Sequence, residues 1–375
     1  MFEKVIALAD SFLDMGIPGY DLVIYKDGKQ LLRHWNGYAD LETKTPINGD
    51  EVYDIYSCSK LMTCIAALQL WEKGLFLMED KLADYMPEFS QMTVQTENGI
   101  VPAKKPILIK HLFEMTAGFS YDMQSPAVVA CQAATDGKCP TREFMKYLAK
   151  EPLLFEPGDQ YKYSLCHDVL LALVEVLSGQ DFESYAKENI YAPAGMVNTT
   201  FLPRYDQIKN FAKKYFYNSQ TGIMKPITTN SYRVGSEYIS GGAGAVSTVE
   251  DFIRLLETVR TGKLLKPETV RLMGTDRLTD YQKRTFPVAE TRGYGLGVRT
   301  PKEGHPHKEF GWGGAAGAYW AIDLTHNVTV FYAQHVLASP NNDLRKDIYS
   351  LVFDQLTGMQ TCDFTRSETQ KNLTY

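Results

Sequence analysis

No run of about 18 apolar residues occurs anywhere in this chain, so no membrane-spanning helix is expected. It has no Cys-x-x-Cys pair and no cluster among its 7 histidines, so neither a metal nor any other cofactor is expected. Basic blocks and interleaved basic–aromatic stripes are also missing, and the net charge of −6 argues against a nucleic-acid partner. Internal repeats and low-complexity tracts are absent. The six cysteines (58, 64, 131, 139, 166 and 362) are scattered, which fits reduced thiols better than a disulfide framework. Cys131 and Cys139 flank a polar loop, where a bridge stays open as an alternative. Glu3 and Asp10 interrupt what would be the apolar core of a signal peptide, so a cytoplasmic location is expected.

Aromatic residues, by contrast, are plentiful: 23 tyrosines and 18 phenylalanines supply both a core and an aromatic-lined pocket. A chain of 375 residues exceeds the usual size of one hydrophobic core, so two lobes or an inserted lobe are expected. Val5, Ile6, Ala9, Phe12 and Leu13 recur at helical spacing. Strand-like 22–25 and 30–37 then flank Asp27-Gly28, whose chemistry suits a tight hairpin turn. Residues 61–73 are almost apolar all round and stop at Gly74, the pattern of a buried helix. From about 75 to 235 short helical segments alternate with Pro and Gly. Strand signals return near Tyr238, and 319–322 and 328–334 read as a hairpin before a last helix over 344–356.

The expected fold is therefore α/β in the α+β sense: an antiparallel sheet flanked by helices, built from both termini, with a mainly helical lobe inserted. The sheet domain takes 1–60 and 236–360, the helical lobe 61–235, and a loose tail 361–375.

Ser57 and Lys60 stand three residues apart where the buried helix begins, so both project from one face. A serine there lies near unpaired helix N–H groups, whose field favours a developing oxyanion. A lysine on a buried helix loses hydration, which favours the neutral amine that serine acylation needs as a base. The spacing alone is common, and Ser184-Tyr185-Ala186-Lys187 repeats it within the polar stretch 180–189. That copy reads as an exposed helix with a hydrated lysine.

With the flanking segments added, the chain resembles the serine β-lactamase and penicillin-binding-protein superfamily, whose motifs run Ser-x-x-Lys, Tyr or Ser-x-Asn, and Lys-Thr-Gly. It looks closest to the class C branch and its family VIII esterase relatives. His111-Leu112-Phe113-Glu114-Met115-Thr116-Ala117-Gly118, Pro157-Gly158 before Tyr163-Ser164, and Ser240-Gly241-Gly242-Ala243-Gly244 carry the likeness in collinear order. The resemblance implies an acyl-enzyme at Ser57, with Lys60 and Tyr163 moving protons. It also implies an oxyanion hole from the N–H groups of Ser57 and Ala315. Substrate would lie along Trp312-Gly313-Gly314, in the place of Lys-Thr-Gly, and near Leu165. Tyr161 competes with Tyr163, but the spacing from Pro157-Gly158 favours Tyr163. Arg260-Thr261-Gly262 is a decoy that ends a helix over 252–259.

Two departures matter. Leu165 replaces the asparagine of the second motif, and Trp312 replaces the cation of the third. Ser164 or His167 could compensate for the first, and Arg233, His307 or Lys308 for the second. Both losses point away from carboxylated β-lactams and towards a small, uncharged ester or amide. The alternatives are a β-lactamase or D-alanyl-D-alanine carboxypeptidase, and an acyl-accepting sensor that does not turn over. The partner is a small ester, amide or lactam in each case, and the oligomeric state is left open.

Overall fold

The computed structural model describes residues 2–362, so the expected loose tail lies, from 363 onwards, outside the described residues. Its spine is an eight-stranded antiparallel sheet. The strand order is Arg292–Tyr294, Arg299–Pro301, Phe310–Gly313, Tyr319–Asp323, Val328–Ala333, Gly19–Lys26, Lys29–Asp40 and Thr45–Pro46. Strands from early and late in the chain meet at the centre, where Val23 lies opposite Phe331. The first hairpin turns at Asp27 and Gly28, both with positive φ (52° and 77°), as a two-residue turn of this twist requires.

Alternation along the strands sorts the two faces. Leu22, Ile24, Val330 and Tyr332 pack under the helices Glu3–Asp14 and Asp347–Thr357. Val23, Ile322 and Phe331 face the larger core, where Phe252 of the helix Val249–Arg260 stacks on Phe331 at 4.3 Å between ring centroids.

The helix Ser59–Glu72 runs through the middle of that larger core and is buried continuously from Ser59 to Leu68. Full burial of Leu61, Ile65 or Leu68 contributes about 1.5–3 kcal/mol each. The helix Cys166–Ser178 packs alongside it. The inserted region also holds two hairpins, Thr93–Thr96 with Gly99–Pro102 and Lys214–Asn218 with Ile223–Ile227. Val336–Leu337 adds to the second hairpin as a parallel neighbour. Among the described residues no helix is long and apolar enough to cross a membrane.

Candidate active site

Ser57 sits on a 3₁₀ turn, Tyr56–Cys58, that runs directly into the helix Ser59–Glu72. The turn is entered through Tyr56 in the left-handed region, with φ 45°. Such strain persists only where the surroundings enforce it. Here Tyr56 is fully buried, its ring packs edge-on against Tyr232, and the Lys214 ammonium lies 5.3 Å from its centroid. Lys214 is in turn paired with Asp54 at 2.5 Å, both side chains fully buried. The turn that carries Ser57 is thus braced by a buried ion pair.

Lys60 is also fully buried. Three oxygens lie within hydrogen-bonding distance of its Nζ: Gly242 O at 2.6 Å, Ser57 Oγ at 3.3 Å and Tyr121 Oη at 3.4 Å. Nζ stands 4.5 Å above the Tyr163 ring and 5.5 Å above the Tyr121 ring. The Tyr163 hydroxyl donates to Ser57 Oγ at 2.7 Å and accepts from Trp312 Nε1 at 3.2 Å. Trp312 stacks on Tyr163 with centroids 5.5 Å apart, and Tyr121 leans on Tyr163 and Tyr232 at 5.5 and 5.3 Å. Tyr161, the sequence competitor, is packed away against Phe286 and Tyr294.

Asp168 completes the surroundings of Lys60. Its buried carboxylate accepts from the Tyr238 hydroxyl at 2.8 Å and is also held by Ser240 and the Gly242 N–H. Burial pushes this carboxyl above its usual range and the Lys60 charge opposes the rise. A Cβ on Gly242 would lie 2.9 Å from Asp168 Oδ2, 3.0 Å from Tyr121 Oη and 3.1 Å from Lys60 Nζ. Glycine is the residue that leaves room there for all three groups. Cys58, beside Ser57, is buried, and burial raises its thiol and keeps it protonated.

The third segment enters as the strand Phe310–Gly313, with Trp312 opposite Trp320 and Gly313 opposite Tyr319. Gly314 then presses its backbone onto residue 55: a Cβ there would fall 2.4 Å from Ile55 O. This close approach explains a glycine two residues after the tryptophan and brings the turn beside Ser57. Ala315 is exposed at the tip.

Leu165 is 2 % exposed, precedes the helix Cys166–Ser178, and belongs to the lobe's core. The side chains considered as substitutes for the missing polar anchors are engaged elsewhere. Ser164 donates to the Cys166 sulfur, His167 lies against Cys64, Arg233 holds Phe201 O, Lys308 holds His305 O, and His307 meets Thr361. Cys131 and Cys139 are unbridged. Among the described residues no three His, Cys, Asp or Glu side chains gather as a metal site.

Tyr121, Tyr232 and Asp168 escaped the sequence reading, and Gly242 entered it only within the segment 240–244, not as a neighbour of Lys60. Asp168 alone left a signal, as a charge beside the long apolar run 169–174 of its helix. One tyrosine among many leaves none.

A serine flanked by a buried lysine and a tyrosine, on an antiparallel sheet with an inserted helical lobe, defines a serine-hydrolase-type enzyme. The family profile described as Beta-lactamase matches residues 5–352, and the chain belongs to that family. It is 27% identical over 350 residues to esterase EstB of Burkholderia gladioli, covering 84% of this chain and 85% of that protein. It is 27% identical over 372 residues to a putative D-alanyl-D-alanine carboxypeptidase of Escherichia coli, covering 89% and 82%. Among solved structures, EstCE1, described as a hydrolase with promiscuous acyltransferase activity, superposes with a TM-score of 0.78 at 26% identity, covering 94% of this chain and 98% of that one.

Proposed function

We propose that the protein cleaves a small, uncharged ester by way of an acyl-enzyme on Ser57. The observation that carries this reading is the pair of contacts on one hydroxyl: Tyr163 Oη at 2.7 Å and Lys60 Nζ at 3.3 Å from Ser57 Oγ. Ser57 Oγ attacks the ester carbonyl carbon and gives its proton to the Lys60–Tyr163 pair, a coupled base that enters the step one proton short of ammonium plus phenol. The carbonyl oxygen becomes an oxyanion held by the Ser57 and Ala315 N–H groups. As the tetrahedral centre collapses, the carbon–oxygen bond to the leaving group breaks and the pair returns the proton to the departing alkoxide. Water, or an alcohol in acyl transfer, then gives up a proton to the same pair and attacks the acyl carbon. Ser57 leaves with that proton restored.

Substrate preference rests on Trp312. β-Lactams and stem peptides carry a carboxylate, and a cation in the third motif is what pairs with it. Here an indole stacked on the catalytic tyrosine occupies the place, and with Tyr121 and Tyr232 it offers aromatic surface to an uncharged acyl or alkoxy group. The buried thiols of Cys58, Cys64, Cys131, Cys139 and Cys166 suit a reducing compartment, and cytoplasmic placement belongs to this reading.

Purified protein assayed on p-nitrophenyl acetate and butyrate and on a chromogenic cephalosporin tests the proposal. Multiple turnovers are expected on the esters, with a far smaller kcat/KM on the cephalosporin. Efficient cephalosporin turnover without ester cleavage overturns the substrate assignment. An intact mass that stays shifted for hours after acylation would instead mark an acyl-accepting sensor.

A further inference from the structure

Arg345 is buried, with 7 % of its surface exposed, yet among the described residues it forms no ion pair with a carboxylate. A guanidinium taken out of water without a counter-ion is costly. Burial accordingly pulls its pKa down. Its Nη1 reaches two carbonyl oxygens of the turn that follows Trp312: Gly314 O at 3.4 Å and Ala318 O at 3.3 Å. Nη2 is anchored by Asn342 Oδ1. The two ends of the turn are themselves tied, Gly314 N–H to Ala318 O at 2.7 Å, and Gly317 N–H adds to Gly314 O at 3.0 Å.

Gly314 O and the Ala315 N–H belong to one peptide unit, and no peptide bond in the described structure is cis. In a trans peptide these two groups point in opposite directions. A carbonyl drawn inward to Arg345 therefore turns the Ala315 N–H outward, at an exposed residue beside the Ser57 turn. That N–H donates to no acceptor among the described residues, and neither does the Ser57 N–H. A cationic donor on the carbonyl also polarises the peptide and leaves its N–H more positive.

We infer that Arg345 is a positioning residue for acyl transfer: it orients and polarises the 314–315 peptide so that the Ala315 N–H meets the developing oxyanion. The inference rests on the acyl-enzyme reading above and adds to it a named source of oxyanion stabilisation that never touches substrate. It also gives the unpaired guanidinium a use, because the anion missing in the resting protein forms nearby in the transition state.

The experiment combines ester kinetics with the infrared carbonyl stretch of the acyl-enzyme, trapped with a slowly deacylating, ¹³C=O-labelled aryl ester. Loss of a direct oxyanion donor costs about 10²–10³ in kcat, so loss of its polarising partner is expected to cost about 10- to 30-fold. Arg345→Met should show that fall with KM nearly unchanged, and its acyl carbonyl should absorb at higher frequency than in the parent. Arg345→Lys should recover part of both. A merely structural role lowers the melting temperature but leaves the carbonyl frequency of the folded fraction where it was, and that result overturns the inference. Should Arg345→Met fail to fold, Asn342→Ala loosens the guanidinium instead. A smaller shift in the same direction supports the proposal, and an unchanged frequency and kcat overturn it. Ser57→Ala separates the two levels. If it still acylates, the acyl-enzyme reading falls; if it is inert while Arg345→Met is unaffected, only the role of Arg345 falls.

Discussion

At Lys60 the amine is fully enclosed, with a serine, a tyrosine and a backbone carbonyl within hydrogen-bonding distance. At Lys187 the side chain is 65% exposed, and its partner is Glu183, 3.6 Å away on the same helical face. The serines differ as much. Ser57 opens a strained turn under an aromatic wall, whereas Ser184 is exposed and lends its backbone N–H to the cap residue Asp181. Both pairs share the Ser-x-x-Lys spacing, which aligns two side chains on one face and does no more. Loss of water around the lysine and a second proton-carrying group on the serine are what distinguish the first pair.

Deleting each serine breaks this comparison most sharply. Ser57→Ala should lower ester kcat at least about 10⁴-fold, as removal of a nucleophile does elsewhere, and abolish the acyl adduct in an intact-mass assay. Ser184→Ala should leave both unchanged. Tyr163→Phe comes next, with an expected loss of about 10²- to 10³-fold in kcat, since it removes a proton carrier and leaves the ring stack intact. A rate within twofold of the parent would place the proton path elsewhere.

The sheet was readable because its evidence is local. Asp27-Gly28 and the strand-like run Leu22-Val23-Ile24-Tyr25 specify a hairpin within a dozen residues, and the pair 319–323 and 328–333 does the same. The hairpins of the inserted region were not readable: their strands are short and largely exposed, and Pro102 and Pro226 argue against strands in sequence. The surroundings of Lys60 lie further from view. Tyr121, Asp168 and Gly242 come from three distant segments that meet only after folding. Leu165 illustrates the opposite error, because its place beside Tyr163 suggests a lining residue and its side chain turns into the core.

Gly242 sharpens the contrast without touching either motif. In Gly242→Ala the new methyl falls 2.9 Å from Asp168 Oδ2 and 3.1 Å from Lys60 Nζ, so the carboxylate must move and the lysine must give by a few tenths of an ångström. Displacement of a reacting group by about 1 Å costs on the order of 10²-fold, so this smaller shift is expected to cost about 3- to 10-fold in kcat. Circular dichroism should stay native. Full activity would show that the lysine tolerates displacement and that its enclosure matters less than its reach.

The smallest effect is expected at Lys187→Ala, and its smallness is informative. Glu183, the partner of Lys187, is 4 % exposed, so its charge is not solvated. It does not depend on the lysine, however, because the Thr200 hydroxyl donates to it at 2.7 Å and the Phe201 N–H at 2.8 Å. Losing the i,i+4 ion pair should therefore cost no more than about 0.5 kcal/mol in denaturant unfolding, and nothing in ester turnover. A loss of several kcal/mol would mean that Glu183 relies on Lys187 as a buried counter-charge. The second copy of the motif would then be a stabilising ion pair of the lobe, with its serine hydroxyl tied to the Asp181 cap carboxylate rather than to the lysine.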